Sequence, residues 1–83
     1  SFTACQSPGE KAANELKECM QSAFDHSSNL EEFGGKLTEC RDNFRKKYQD
    51  KMNDAEFQKD VEKKFADFYE ELGKKAKEKF GEE

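Results

Sequence analysis

The 83-residue chain contains no Trp and no Ile, and it has one Val, one Pro and one His. Residues that favour strands are nearly absent, which excludes an all-β fold. No apolar run approaches the ~20 residues that a membrane-spanning helix needs, so we expect no transmembrane segment. One histidine and the absence of clustered ligands argue against an enzyme, a bound metal or a cofactor.

Charge is abundant instead, since 41% of the residues are charged and the net charge is -4. Residues 1–40 carry 3 Lys against 7 acids, a net of -4, and residues 41–83 carry 12 basic and 12 acidic groups, a net of zero. A net negative chain does not suit phosphate neutralisation, so we expect no nucleic-acid partner. The balanced second half is typical of a solvated helix surface laced with ion pairs.

Three apolar stripes with helical spacing predict three α-helices, at about 8–25, 29–52 and 54–80, after an N-terminal extension of residues 1–7. Short connections between them predict an all-α, up-down-up three-helix bundle that forms a single domain over residues 1–83. Each stripe begins at a capping-box pattern, in which a short polar residue is followed three positions later by Glu. The three pairs are Ser7–Glu10, Ser28–Glu31 and Asn53–Glu56.

The second stripe contains Gly34-Gly35, and each Gly costs about 1 kcal/mol relative to Ala in a helix interior. The stripe nevertheless keeps its phase across the pair. Two alternatives follow: a continuous but weakened helix, or a short turn of helix followed by a longer one from Lys36.

Phenylalanine dominates the predicted core, and burying each side chain contributes roughly 1.5–3 kcal/mol. Ordering costs roughly 1.5 kcal/mol per residue, so a chain of this length has little margin without a cross-link. The aromatic residues predicted to face inward are Phe24, Phe33, Phe44, Phe57, Phe65, Phe68 and Phe80.

The chain has an odd number of cysteines, Cys5, Cys19 and Cys40. If the first two helices run antiparallel around residues 27–31, Cys19 lies opposite Cys40, and a disulfide between them contributes about 3 kcal/mol. Cys5 is then a free thiol or an intermolecular one that links a dimer. The alternative is that Cys19 and Cys40 are small, buried, reduced residues.

The first residue of the chain and the three cysteines indicate the cellular compartment. The chain begins at Ser1 rather than Met, and three cysteines accompany a small core. These features favour a secreted, extracellular protein whose signal peptide has been removed. The cytosolic alternative keeps all three thiols reduced.

No catalytic site is expected. Asp25, His26 and Ser27 are consecutive, and consecutive residues in a connection do not aim at one another as a triad requires. The most basic stretch is a candidate contact surface for an acidic protein or a lipid headgroup, with an ordinary solvated face as the alternative. That stretch comprises Arg41, Arg45, Lys46 and Lys47.

The third helix has a wide apolar arc, acids at the opposite pole and lysines near the boundary. This arrangement is found in lipid-surface helices, and the apolar arc is equally what a bundle helix needs. The residues predicted to line an apolar ligand, if one is bound, are Phe33, Phe44, Phe65, Phe68 and Leu72.

Elimination favours a small, secreted, non-enzymatic helical protein that acts by binding a macromolecular partner, as an effector, toxin-like or inhibitor-like module. The partner is expected to be a protein. The alternative is a carrier of a fatty acid or another apolar ligand, or a lipid-surface-binding protein.

Overall fold

The computed structural model describes residues 6–81, which form three α-helices. They are α1 (Pro8–Asp25), α2 (Leu30–Lys47) and α3 (Ala55–Phe80), and a short 3-10 helix (Gln49–Lys51) lies between α2 and α3. No strand occurs within residues 6–81, and the all-α prediction is confirmed. The predicted second helix, 29–52, is too long, because Tyr48 leaves the helical conformation and ends α2.

The start of α1 matches the sequence pattern. The Ser7 hydroxyl accepts a hydrogen bond from the Glu10 amide at 3.2 Å, and the Glu10 carboxylate accepts one from the Ser7 amide at 3.3 Å. Pro8 occupies the first helical position, where its missing N–H costs nothing. The first capping box is therefore confirmed.

The caps of α2 and α3 lie one residue beyond the predicted positions. Asn29 caps α2 by accepting from the Glu32 amide at 2.8 Å, while the predicted cap, Ser28, donates its own amide to the Glu32 carboxylate. Asp54 caps α3 instead of Asn53, and its carboxylate accepts from two amides of the first turn. In both cases a side chain with a carbonyl-type acceptor at the next position takes the role.

α2 passes without a break through Gly34-Gly35. The Thr38 hydroxyl donates to the Gly34 carbonyl at 3.1 Å, inside the helix. Of the two alternatives, the continuous helix is the one observed.

The helix directions follow from contacts at the two ends. Gly9, at the start of α1, lies against Asp60 near the start of α3. At the other end, the Lys79 ammonium donates to the Phe24 carbonyl at 2.7 Å. α1 and α3 are therefore parallel.

α2 is antiparallel to α1. The Phe24 and Phe33 rings meet edge to face, 5.8 Å apart, beside the connection between the two helices. Further along, Cys19 is bonded to Cys40 with their Cα atoms 5.9 Å apart. The order is up, down, up, and the predicted disulfide is confirmed. Cys5 lies outside the described residues.

α1 is the central helix, because close backbone packing joins it to both α3 and α2. Its approach to α3 depends on small residues. A Cβ placed on Gly9 lies 2.6 Å from the Asp60 Cβ and 2.7 Å from the Phe57 carbonyl oxygen. Ala12 and Ala13 are completely buried.

The core is less phenylalanine-rich than predicted. Phe33 and Phe57 are buried, whereas the other five predicted inner phenylalanines are only partly covered. Cys19 is also exposed, although its partner Cys40 is buried. The main buried cluster consists of Leu16, Met20, Ala23, Phe33, Cys40, Leu72 and Ala76.

Gly9→Ala is expected to lower the free energy of unfolding by about 1–3 kcal/mol, because the new methyl group meets backbone and cannot be accommodated without moving α1 from α3. Gly35→Ala is the matched control, since its Cβ meets no atom within 4 Å. That variant should gain roughly 0.5–1 kcal/mol from helix propensity. Urea denaturation measures both, and equal midpoints for the two variants would contradict the close approach.

Replacing Cys19 and Cys40 together by Ala is expected to remove about 3 kcal/mol of stability, through the lost constraint on the unfolded chain. Far-ultraviolet circular dichroism should still show a helical protein at low temperature. Thermal melts of the double variant and of the reduced parent should agree. A melting temperature equal to that of the oxidised parent would show that the bond contributes nothing.

Candidate partner-binding surface

Two large apolar side chains stand out on the surface of the described residues: Leu30 is 55% exposed and Tyr69 is 49% exposed. By helical periodicity, Leu30 shares one side of α2 with Leu37 and Arg41. Tyr69 likewise shares one side of α3 with Phe65. These two sides form a single surface, the α2–α3 face. It consists of Leu30, Leu37, Arg41, Phe65 and Tyr69.

The α3 half of this face is a partly covered aromatic group. The Phe65 ring lies 5.6 Å from the Tyr69 ring and 5.8 Å from the Phe68 ring. Phe65 and Phe68 are half-buried. On the far side of the group, the Lys17 ammonium lies 5.9 Å from the centre of the Phe68 ring.

Arg41 connects the two halves of the face. Its Nη2 donates to the Tyr69 hydroxyl oxygen at 3.2 Å, from α2 to α3. The guanidinium group has five N–H donors in a rigid plane, so this bond leaves most of them available to a partner. The bond also fixes the position of the phenol ring.

The predicted basic surface is divided among several contacts. Arg45 pairs with Asp42 at 2.7 Å, and Lys47 pairs with a carboxylate of α1. Arg41 belongs to the α2–α3 face, and Lys46 is exposed. The four residues therefore do not form one uniform cationic patch.

Glu15 holds the end of α2 against α1. Its Oε1 accepts from the Tyr48 hydroxyl and from the Lys47 ammonium, the latter at 3.0 Å. The Tyr48 hydrogen bond, followed by that of Lys47, lowers the pKa of the Glu15 carboxyl. Burial, followed by the bond to Glu15, raises the pKa of Tyr48 to about 12. Glu15 is thus an anion and Tyr48 a donor near neutral pH.

A small groove lies beside the disulfide, with a volume of about 110 Å³. Leu16, Phe44 and both cysteines supply its apolar wall. An engineered cavity of about 150 Å³ holds one benzene molecule, so this groove matches a single side chain rather than an acyl chain. A more polar depression of about 270 Å³ adjoins it and shares Cys19, Cys40 and Asn43.

The residues predicted to line a ligand are not brought together around one cavity. Phe33 and Leu72 are each 4% exposed and belong to the buried cluster. Phe44 lines the groove beside the disulfide, whereas Phe65 and Phe68 are half-buried on α3. The set is therefore divided between the core and two different surfaces.

The Asp25 and His26 side chains contact residues four positions earlier in the chain. The Asp25 carboxylate accepts from Gln21 at 3.1 Å, and the His26 Nδ1 lies 2.9 Å from the Ser22 carbonyl oxygen. Within the part of the chain that the structure covers, no group of three or more His, Cys, Asp or Glu side chains is arranged to hold a metal ion.

Sequence reasoning missed the most informative surface contacts. Tyr69 lies beside the third stripe. Only its spacing of four residues from Phe65 indicates that it shares a side of α3 with that half-buried ring. The Glu15–Tyr48 contact joins residues 33 positions apart. No local pattern could have identified that pair.

Tyr48→Phe is expected to raise the pKa of Glu15, because the substitution removes the largest influence that lowers it. A carboxyl whose pKa is depressed by folding adds stability above its unfolded pKa, and this contribution is lost as the pH falls through the folded pKa. Tyr48→Phe should therefore weaken the acid-side pH dependence of stability.

Side-chain NMR titration measures this shift directly. Glu32 is the internal control, because the Ser28 amide, not Tyr48, is the main cause of its lowered pKa. The Glu32 titration should be the same in both proteins. An unchanged Glu15 titration in Tyr48→Phe would contradict the contact.

No helix within residues 6–81 is both long enough and apolar enough to cross a membrane. Searches against protein-family models, curated proteins and solved structures find no match to this chain. The α2–α3 face and the groove beside the disulfide are therefore interpreted from their own chemistry.

Proposed function

We propose that the protein is a non-enzymatic helical module that acts by binding a macromolecular partner through the α2–α3 face. The observation that carries this proposal is Tyr69, half-exposed, in contact with the Phe65 ring and hydrogen-bonded to Arg41. Tyrosine and arginine are enriched among the residues that dominate protein–protein affinity. A phenol ring already held in place loses little freedom on binding.

Its place of action under this proposal is outside the cell. Disulfides persist in oxidising compartments, and the Cys19–Cys40 bond joins two of the three helices of a small core. The bond and the high surface charge are both compatible with a secreted binding module.

The carrier alternative has weaker support. Pockets for drug-sized ligands usually hold about 300–1,000 Å³ and are predominantly apolar. The apolar groove beside the disulfide holds about 110 Å³. A larger depression, of about 470 Å³, is lined by the polar and charged side chains of α1 and Gln6. Neither combines the size and the lining that an acyl chain requires.

Affinity capture from the native fluid or tissue tests the proposal. Immobilised parent protein should retain a partner, and Tyr69→Ala should retain at least about tenfold less, the loss expected for a residue contributing about 1.4 kcal/mol to binding. Lys63→Ala is the matched control, because Lys63 is exposed and lies on the opposite side of α3. Circular dichroism should show equal folding of all three proteins.

Two outcomes would contradict the proposal. One is capture that is equally strong with Tyr69→Ala. The other is saturable, stoichiometric uptake of a fluorescent fatty acid by the parent, which would favour the carrier alternative.

A further inference from the structure

We propose that the α2–α3 face binds an amphipathic α-helix of the partner, with the acidic edge of that helix turned toward α2. This inference rests on the proposed function and specifies the partner's chemistry. Its starting point is the arrangement of the three helices. α1 packs closely against both neighbours, whereas α2 and α3 reach each other through long side chains, such as Arg41 to Tyr69.

Such an arrangement resembles a four-helix bundle from which one helix is missing. In a four-helix bundle each helix packs against two neighbours, and the fourth lies across from the first. Here the position across from α1 is the α2–α3 face. Its apolar side chains remain half-covered because none of the three helices within residues 6–81 lies over them.

The length of the face suits a helix of about three turns. From Leu30 to Arg41 the face extends along α2 for about 17 Å, at a rise of about 1.5 Å per residue. A bound helix would place apolar residues against it at positions i, i+3 or i+4, and i+7, as helices in grooves commonly do.

Two glycines leave space along the edges of the face. Gly34 lies on the same side of α2 as Arg41, seven residues away, and Gly73 lies four residues after Tyr69. A Cβ placed on either glycine meets no atom within 4 Å. A partner backbone can therefore approach both helices without a steric barrier.

Charge fixes the orientation of the partner helix. Arg41 and Arg45 lie on the α2 edge, one helical turn apart, with Arg45 paired to Asp42 in an exposed salt bridge, and Glu62 lies on the α3 edge, three residues before Phe65. Carboxylates on the α2 edge of the partner can accept hydrogen bonds from the donors that the Arg41–Tyr69 bond leaves free, and they compete with Asp42 for Arg45. Acidic residues on the other edge of the partner helix would face Glu62 and would be repelled by it.

Two synthetic 15-residue helical peptides test this inference. Both present the same leucine stripe, and one edge carries glutamates in the first peptide and lysines in the second. Fluorescence anisotropy with the parent protein should show at least about tenfold tighter binding of the glutamate peptide. Arg41→Glu should reverse the preference, and Lys63→Glu should leave it unchanged.

Leu30→Gln is a second variant, at an exposed site, so its folding is not at risk. It should weaken both peptides by a similar factor, since it removes apolar contact without adding a charge to the face. Equal affinities of the parent for the two peptides, or a preference that survives Arg41→Glu, would overturn the inference.

Two other occupants give distinct results. Binding to phosphatidylserine-containing vesicles that is lost in Tyr69→Ala would assign the face to a membrane surface. A concentration-dependent dimer that Leu30→Gln dissociates would assign it to a second copy of this chain. Either result overturns the inference. Tyr69-dependent capture of a native partner, without edge-selective peptide binding, would reject the helix inference and leave the proposed function standing.

Discussion

The close packing of α1 against α3 determines the rest of this small structure. Gly9 and the two buried alanines after it carry almost no side-chain volume, so α3 approaches the first turns of α1 at backbone distance. Larger residues follow along α1, and of these Met20 is almost fully buried.

α2 depends on fewer and more concentrated contacts. The disulfide fixes its middle to α1, and an aromatic group at each end adds to this attachment. Phe24, Phe33 and Phe80 meet at one end, with ring centres 5.4–5.8 Å apart. A second aromatic group closes the other end through Tyr48, whose hydroxyl is bonded to Glu15. Between these ends the side of α2 that faces α3 stays partly open.

Much of the fold could be predicted from periodicity, because each helix buries a continuous stripe. The Cys19–Cys40 bond also followed from the sequence, since an antiparallel pair with a short connection places the two residues at the same level. The extent of burial could not be predicted in this way. A helical wheel shows which residues share a side, but not that α2 and α3 would stay apart and leave Leu37 and Phe65 half-covered.

The same limit applies to the candidate surface. In the sequence Arg41 is distinguished only by its charge, whereas in the structure its guanidinium group donates to the Tyr69 hydroxyl oxygen. The caps of α2 and α3 lie one residue beyond the predicted positions, at Asn29 and Asp54. At α2 the Asn29 side chain accepts from the Glu32 amide, while the Ser28 amide donates to the Glu32 carboxylate.

The parallel pairing of α1 with α3 has a consequence for the order of folding. Contacts between these helices join residues 47 and 55 positions apart, whereas the disulfide joins residues 21 apart. Closing a longer loop costs more chain entropy, and non-local contacts slow folding. We therefore expect the α1–α2 hairpin to form first and to bring Cys19 and Cys40 together before α3 docks. On this expectation the tightest interface assembles last, so oxidation can precede completion of the core.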